Sequence, residues 1–438
     1  MTDNVFERAG AAIERVKMQN CAGTVSKICS DILSVAGLPK TVRIGDEVEV
    51  VTDSARIKAE VIGLETDVRL MTDGPTRGVK LGDTVIHRGQ SHFRPDTSWI
   101  GRVIDPDGRP LDGRPLLDGL RTVVLNRNPP DAYVRRPLGA RVPTGLAVFD
   151  TMLPIVRGQR IGLFAGSGVG KSTLIANLAR GMAADVVVIA LVGERGREVR
   201  EFVENVLGPE GLSRSVVVAA TSDQSANMRR RCALSATAVA EHFRALGKHV
   251  LLFVDSVTRF AEAHREIAAA SGEASNLRGF PASTAASIAR LCERAGPGPM
   301  SEGDITAIYS VLVAGSDMEE PVADMLRGVL DGHVILSRDI AERGRFPAID
   351  VLRSVSRALP AAANEAENAL IKEARSLMAA YEHSELMIQS GLYSAGSDPQ
   401  VDRAIKLRNG LEQFLSRPSG GVDTAFADLR RTLEGRSA

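Results

Sequence analysis

The run Ala165-Gly166-Ser167-Gly168-Val169-Gly170-Lys171-Ser172 constrains this chain more than any other stretch. It fits the spacing G-x-x-x-x-G-K-[ST], with Ala165 in the first place, where another small residue costs little. The setting also fits. Arg160-Ile161-Gly162-Leu163-Phe164 reads as a short buried strand, and Thr173-Leu174-Ile175-Ala176-Asn177-Leu178 begins a helical pattern. Between them Gly166, Gly168 and Gly170 let the backbone N–H groups of the loop, Ser167 and Val169 included, turn inward around phosphates. The helix start at Lys171, Ser172 and Thr173 adds the positive end of its dipole. Lys171 then reaches the β and γ phosphates and Ser172 ligates Mg²⁺, which predicts a nucleotide, ATP, bound with Mg²⁺.

At 438 residues the chain exceeds one ordinary core, so two or three domains are expected. A hydrophobic content of 44% with 25% charged residues is that of a globular protein in water. The formal net charge of zero argues against a general affinity for nucleic acid or anionic membrane. No apolar run approaches a bilayer span, Val186 to Val192 being about the longest, and Met1-Thr2-Asp3-Asn4 opens no secretory signal. Cys21, Cys29, Cys232 and Cys292 lack C-x-x-C spacing and read as reduced thiols, mostly packing groups, which predicts a cytoplasmic location.

The texture along the chain divides it into four parts. Residues 1–18 read as a helical segment with Phe6, Ile13 and Val16 on one side. Residues 19–95 carry short β-rich runs punctuated by Gly45-Asp46, Asp73-Gly74 and Gly82-Asp83, which predicts a small β-barrel serving oligomerisation. Residues 96–360 form the phosphate-loop domain, led by a Gly- and Pro-rich bridge from Arg94 to Pro143 with few regular elements. Candidate strands at 160–165, 185–192, 215–220, 249–255 and 305–313 alternate with helical patterns, which implies a parallel sheet covered on both faces. Residues 361–438 turn helical, with Ala366 to Ser390 and Asp398 to Leu415 as the long candidates. The predicted class is α/β: a central parallel-sheet nucleotide domain of the RecA-like kind, a small N-terminal β-barrel and a C-terminal helical domain.

Two carboxylates leave strand ends near the loop. Leu251-Leu252-Phe253-Val254-Asp255 is an apolar strand ending in an acid, which beside an intact phosphate loop presents Asp255 to Mg²⁺ and its water shell, although such an acid is elsewhere a cap or turn residue. Glu194 follows the strand Val186 to Val192 at the edge where ligands sit in open parallel sheets. A carboxylate there can polarise an attacking water; the alternative is a plain ion pair with Arg195 or Arg197.

Pro347-Ala348-Ile349-Asp350-Val351-Leu352-Arg353-Ser354-Val355-Ser356 resembles the fingerprint of the rotary ATPase α/β subunit family. Gly101-Arg102-Val103-Ile104-Asp105 with Gly108 to Gly113 resembles that family's segment before its nucleotide domain. Within the family, Val192 to Val199, Thr221 to Ser225, Asp255 to Phe260 and Leu330 to Arg338 look like the type III export ATPases, most of all that of the bacterial flagellum. The resemblance covers roughly residues 20 to 415. It implies that Lys171 and Ser172 contact phosphates and Mg²⁺, that Glu194 is the general base, and that Asp255 is the metal-side carboxylate. It further puts Arg195 and Arg259 near the γ-phosphate, stacks Phe346 on adenine, and makes Arg357 an arginine finger given to the neighbouring subunit. A homohexamer is implied, with stator and central-stalk proteins, export chaperones and substrates as partners. Peripheral contact with a membrane export gate at the inner membrane is implied as well.

Departures and rivals bound this reading. Gly272 to Ser283 resembles a segment bordering the ring's central opening but lacks two prolines and has Phe280 in place of a tyrosine. Arg229-Arg230-Arg231 reads as a solvated helix face or inter-subunit ion pairs rather than a functional basic patch. An RNA translocase with the same core is disfavoured, since Phe93 is the one aromatic between Cys21 and Arg94 and the region is not strongly basic. A nucleotide-holding, non-hydrolysing subunit would carry an amide where Glu194 stands. An ATP synthase subunit would be longer. An injectisome ATPase of virulence secretion shares nearly the same core and is the main alternative to the flagellar reading.

Overall fold

The computed structural model describes residues 21–90, 93–275, 279–313 and 318–436. The helix expected over 1–18 and the middle of the Gly272 to Ser283 segment lie outside the described residues. Six strands open the fold: β1 (Cys21–Cys29), β2 (Ile32–Ala36), β3 (Glu47–Val51), β4 (Arg56–Leu64), β5 (Val68–Thr72) and β6 (Thr84–Gly89). They close antiparallel in the order β1-β2-β5-β4-β3-β6. Period-two side-chain alternation turns Val48 and Val50 inward with Val25, Leu33, Val35, Val61, Leu70 and Val85, while Glu47 and Glu49 face outward. Gly45 and Gly82 take the positive φ that the turns there need.

The second body is a sheet in the order β15-β14-β8-β13-β11-β9-β10-β7. Its strands are β7 (Arg102–Ile104), β8 (Arg160–Ala165), β9 (Val186–Glu194), β10 (Ser215–Thr221), β11 (His249–Asp255), β13 (Asp304–Leu312), β14 (Gly332–Leu336) and β15 (Ile349–Ser356), with β12 (Gly296–Pro297) paired antiparallel to the start of β13. All five expected strands form. The valine run of β9 is apolar throughout because both its faces are covered: Val187, Ile189 and Leu191 point into one core, Val186, Val188, Ala190 and Val192 into the other. Two features amend the sequence reading. The bridge contributes β7, which extends the sheet parallel to β10, and the sheet is mixed because β15 runs antiparallel to β14.

Helices cover both faces, among them α1 (Lys171–Gly181), α2 (Ala226–Ala245), α3 (Val257–Ala270), α4 (Ser283–Glu293) and α5 (Pro321–Val329). The C-terminal part is α6 (Glu365–Gln389), α7 (Pro399–Ser416) and α8 (Val422–Leu433); the last had no counterpart among the long candidates. Asn364 and Glu367 form a capping box that starts α6. Ile371, Ala374 and Leu377 of α6 share one core with Leu174 and Ile175 of α1 and with Ile349 and Val351 of β15. The helical domain is thereby packed against the elements that carry the phosphate loop.

Arg230 and Arg231 of the arginine run on α2 bind the barrel to the sheet domain within one chain, not as a solvated face. Arg231, buried, pairs with Glu60 at 3.1 Å, Asp73 at 3.2 Å and Asp107 at 2.7 Å; Arg230 pairs with Glu60 at 2.5 Å and Arg229 with Glu266 at 2.6 Å. Burial pushes the Asp73 carboxyl up, against the pull of Arg231. Removing the cation would leave Asp73 without its partner out of water, while Glu60 keeps Arg230 and Asp107 keeps Lys58, a mechanism that typically costs about 3–5 kcal/mol. Arg231→Ala is therefore expected to lower the unfolding free energy of the barrel-containing transition, measured by denaturant titration, by that order. Arg200→Ala, which breaks the exposed Arg200–Glu204 pair, should change it by less than about 0.5 kcal/mol. Equal effects in the two variants would contradict the clamp.

Candidate active site

The phosphate loop joins β8 to α1. Gly168 and Gly170 adopt φ of +77° and +84°, a region where a β-carbon is strained, and Val169 tucks under the loop with 2% of its surface exposed. An added β-carbon at Gly170 would stand 3.2 Å from the ring of Phe346, so the two are in van der Waals contact. Gly166 and Ser167 line a cleft of about 410 Å³ with Val313, Ile335, Ser337 and Arg338. Ser172 and Thr173 are exposed on the first turn of α1.

Parallel strands bring their C-terminal ends to one edge, and that is where the charged residues meet. The Lys171 ammonium bonds the Asp255 carboxylate at the end of β11, and Glu194 Oε1 at the end of β9 lies 3.9 Å from the same nitrogen. Ser310 Oγ of β13 donates to Asp255 Oδ1 at 2.6 Å. Burial first and the Asp255 charge second push the Glu194 carboxyl up to about 6, against the pull of Lys171. A carboxylate poised there can take a proton from water near neutral pH. Glu194 makes no ion pair with Arg195 or Arg197 among the described salt bridges, and its partner is Lys171.

The two other near-loop arginines differ in placement. Arg259 borders the cluster: its stem abuts Gly193, and its guanidinium bonds Glu262 at 2.8 Å. Arg195 is turned to solvent and holds Glu198 at 3.0 Å, away from Lys171. Phe346 is half exposed over the loop, as a shelf for a flat ring would be. Arg357 lies elsewhere. Leu336 sits opposite both Ala165 and Ile349, whereas Gly332 sits opposite Ser356, so β15 carries the chain from the loop edge to the far edge of the sheet. At about 3.3 Å per residue, β15 puts roughly 20 Å between Arg357 and the loop of its own chain.

For a magnesium ion the donors fit. Ser172 offers a hydroxyl and Asp255 a buried carboxylate, both hard oxygens, and among the described residues no cluster of three or more His, Cys, Asp or Glu forms a complete cage. That poverty of protein ligands suits Mg²⁺, which keeps waters and nucleotide phosphates in its shell. Ser310 shares its buried strand with Asp304, Thr306 and Tyr309, so nothing in the sequence singles its hydroxyl out. The four cysteines stay apart, Cys232 and Cys292 buried with thiols pushed up by burial.

Residues 145–356 match the nucleotide-binding domain of the ATP synthase alpha/beta family, and residues 363–433 the T3SS EscN ATPase C-terminal domain. A flagellum-specific ATP synthase of Caulobacter vibrioides is 43% identical over 97% of this chain and 98% of its own length. The chain belongs to the ATP synthase alpha/beta family. It is an ATPase of the flagellar and type III secretion branch. The Bacillus subtilis flagellum-specific ATP synthase is 46% identical over 82% of each chain, and a type 3 secretion system ATPase of Xanthomonas euvesicatoria 42% identical over 91% of this one and 90% of its own. The assembled ATPase EscN of enteropathogenic E. coli superposes with a TM-score of 0.86 at 37% identity, covering 94% of this chain and 100% of EscN. EscN in complex with its central stalk EscO matches with a TM-score of 0.85. No described helix of this ATPase is long and apolar enough to cross a membrane.

Were Glu194 to take the proton of an attacking water, it would do so only when ionised, so activity would be lost as pH falls through about 6. The kcat/KM for ATP, which reports the free enzyme, is expected to be flat at neutral pH and to fall about tenfold per pH unit below about 6. A limb at 4.5, the ordinary glutamate value, would show that burial and Asp255 do not act on Glu194 as described.

Proposed function

We propose that this ATPase hydrolyses MgATP at the interfaces of a homohexameric ring and so energises protein export by the flagellar type III apparatus. Lys171 and the loop N–H groups hold the β and γ phosphates, and Ser172 and Asp255 would hold Mg²⁺, which supplies charge neutralisation at the phosphates when bound. Glu194 receives the proton of the attacking water. Arg259, and Arg195 if its side chain swings from Glu198, stand at the γ-phosphate end, while Phe346 stacks on adenine. Arg357 of the neighbouring subunit supplies the charge that stabilises the transferring phosphoryl.

The observation that carries this reading is the register of β15. With roughly 20 Å of strand between Arg357 and its own loop, the residue has a role at a nucleotide only if the nucleotide belongs to another copy. EscN, assembled and in complex with its central stalk EscO, supports the same arrangement here. Stator proteins, chaperones and export substrates, and peripheral contact with an export gate at the cytoplasmic side of the inner membrane, complete the proposal. The flagellar assignment rests on the flagellum-specific relatives, the injectisome ATPases standing close behind.

Two variants separate the roles. Glu194→Gln is expected to bind ATP normally yet release phosphate at least 10²-fold more slowly, on the order expected of a lost general base. Arg357→Ala should form rings and lose turnover by about 10³-fold, in the range of other arginine fingers. Wild-type phosphate release by Glu194→Gln, or full turnover by assembled Arg357→Ala, would overturn the respective assignment. In a deletion strain, unimpaired swimming and flagellin export would overturn the flagellar role.

A further inference from the structure

Directly below the phosphate-loop strand lies a side chain with no part in the chemistry above. Gln159 is fully buried and every polar atom of its amide is directed at a backbone or hydroxyl partner. Its Oε1 accepts from Val156 N at 2.9 Å, and its Nε2 donates to Asp331 O at 3.0 Å and to Ser356 Oγ at 3.2 Å. Its own carbonyl accepts from Ala307 N at 2.9 Å, which fixes it to β13. Val156 and Gln159 thus close a turn whose amide reaches across to the end of β15.

Those two acceptors flank Arg357. Asp331 O accepts from Arg357 N at 3.1 Å as well as from Gln159, and Ser356, the residue before Arg357, anchors its hydroxyl on Pro154 O at 2.6 Å. The Arg357 side chain itself is exposed, with one long bond to Arg327 O at 3.3 Å. Little but its backbone therefore determines where the guanidinium stands, and the backbone is held by Asp331 O and Ser356. The Asp331 carboxylate is in turn gripped by Arg160, the residue after Gln159, through its backbone N at 3.0 Å and through Nε at 3.0 Å and Nη2 at 3.1 Å.

We propose that Gln159 is a positioning residue for Arg357: it ties the root of one subunit's phosphate-loop strand to the arginine that this subunit lends to its neighbour. The proposal rests on the shared-site reading given above. Physically, the amide converts a shift of β8, which holds the loop, into a shift of the finger, because both hang on one rigid buried group. Such a link would let the nucleotide state of one site be felt at the next.

Gln159→Met keeps length and volume but leaves Val156 N without its partner and takes one bond each from Asp331 O and Ser356 Oγ, and Ser356→Ala removes one of the two contacts with a gentler change. Each is expected to bind a fluorescent ATP analogue within about twofold of the unmodified chain, since the loop is untouched. The kcat should fall about 10²-fold in Gln159→Met, the scale of an ångström-sized misplacement, and about tenfold in Ser356→Ala. The deciding readout is rescue in mixed rings. Lys171→Ala subunits have a disabled loop and an intact finger, so mixing them with either variant is expected to restore turnover at the variant's loops. Arg357→Ala mixed with Lys171→Ala is the reference pair.

Rescue of the reference pair without rescue of Gln159→Met or Ser356→Ala would mean that Gln159 serves its own loop, and the proposal fails while the shared site stands. No rescue of the reference pair would defeat the shared site and this inference with it. Should Gln159→Met fail to fold, the rescue of Ser356→Ala decides alone, and wild-type turnover by Ser356→Ala would then overturn the proposal.

Discussion

The reversal of β15 against the sheet governs what this enzyme can do alone. In a parallel sheet every strand delivers its last residue to the same edge, which is why Lys171, Glu194 and Asp255 converge although they are far apart in sequence. A strand that runs the other way delivers its last residue to the opposite edge. Ile349 begins beside the loop, Ser356 ends opposite Gly332, and Arg357 follows at the far side. For Arg357 to serve a γ-phosphate, that phosphate has to be bound by another copy of the chain. Rotation within one chain cannot span roughly 20 Å of strand.

Within the loop edge, electrostatics divide the labour between two acids of the same kind. Asp255, at a depth of 3% exposure, is tied to Lys171 and to the hydroxyl of Ser310. Glu194 is half-buried, approaches the same ammonium no closer than 3.9 Å, and feels Asp255 as a like charge. Its carboxyl is thereby pushed up to about 6. The better-bonded acid suits a cation and the poorly bonded one a proton, a separation that recurs wherever two carboxylates share a site. The buried cluster of Arg231 with Glu60, Asp73 and Asp107 does something different: it ties the barrel to α2.

The glycine loop, the buried valine strand and the acids at strand ends were legible in the sequence because each follows a local rule of spacing or periodicity. The five central strands and the long C-terminal helices were legible for the same reason. What was not legible depends on partners distant in sequence. Arg102-Val103-Ile104 is too short and too crowded by Gly and Pro to announce a strand, and it becomes one because β10 offers an unpaired edge. The direction of β15 follows from the connection over 337–348, which includes the short helix Arg338–Glu342, and leaves no periodic trace. Arg231 looked like a surface cation because its three acids lie on other elements. Arg195 matched a family motif, yet it bonds Glu198 and faces solvent.

The shared site is the central claim, and its most direct test is the dependence of turnover on assembly. Phosphate release per subunit should be measured across a dilution series, with the assembled fraction taken from sedimentation velocity at each concentration. A completed site at each interface predicts that specific activity rises with concentration, follows the assembled fraction and extrapolates to near zero for the monomer. A specific activity that stays constant into the concentration range where the chain is monomeric would contradict it.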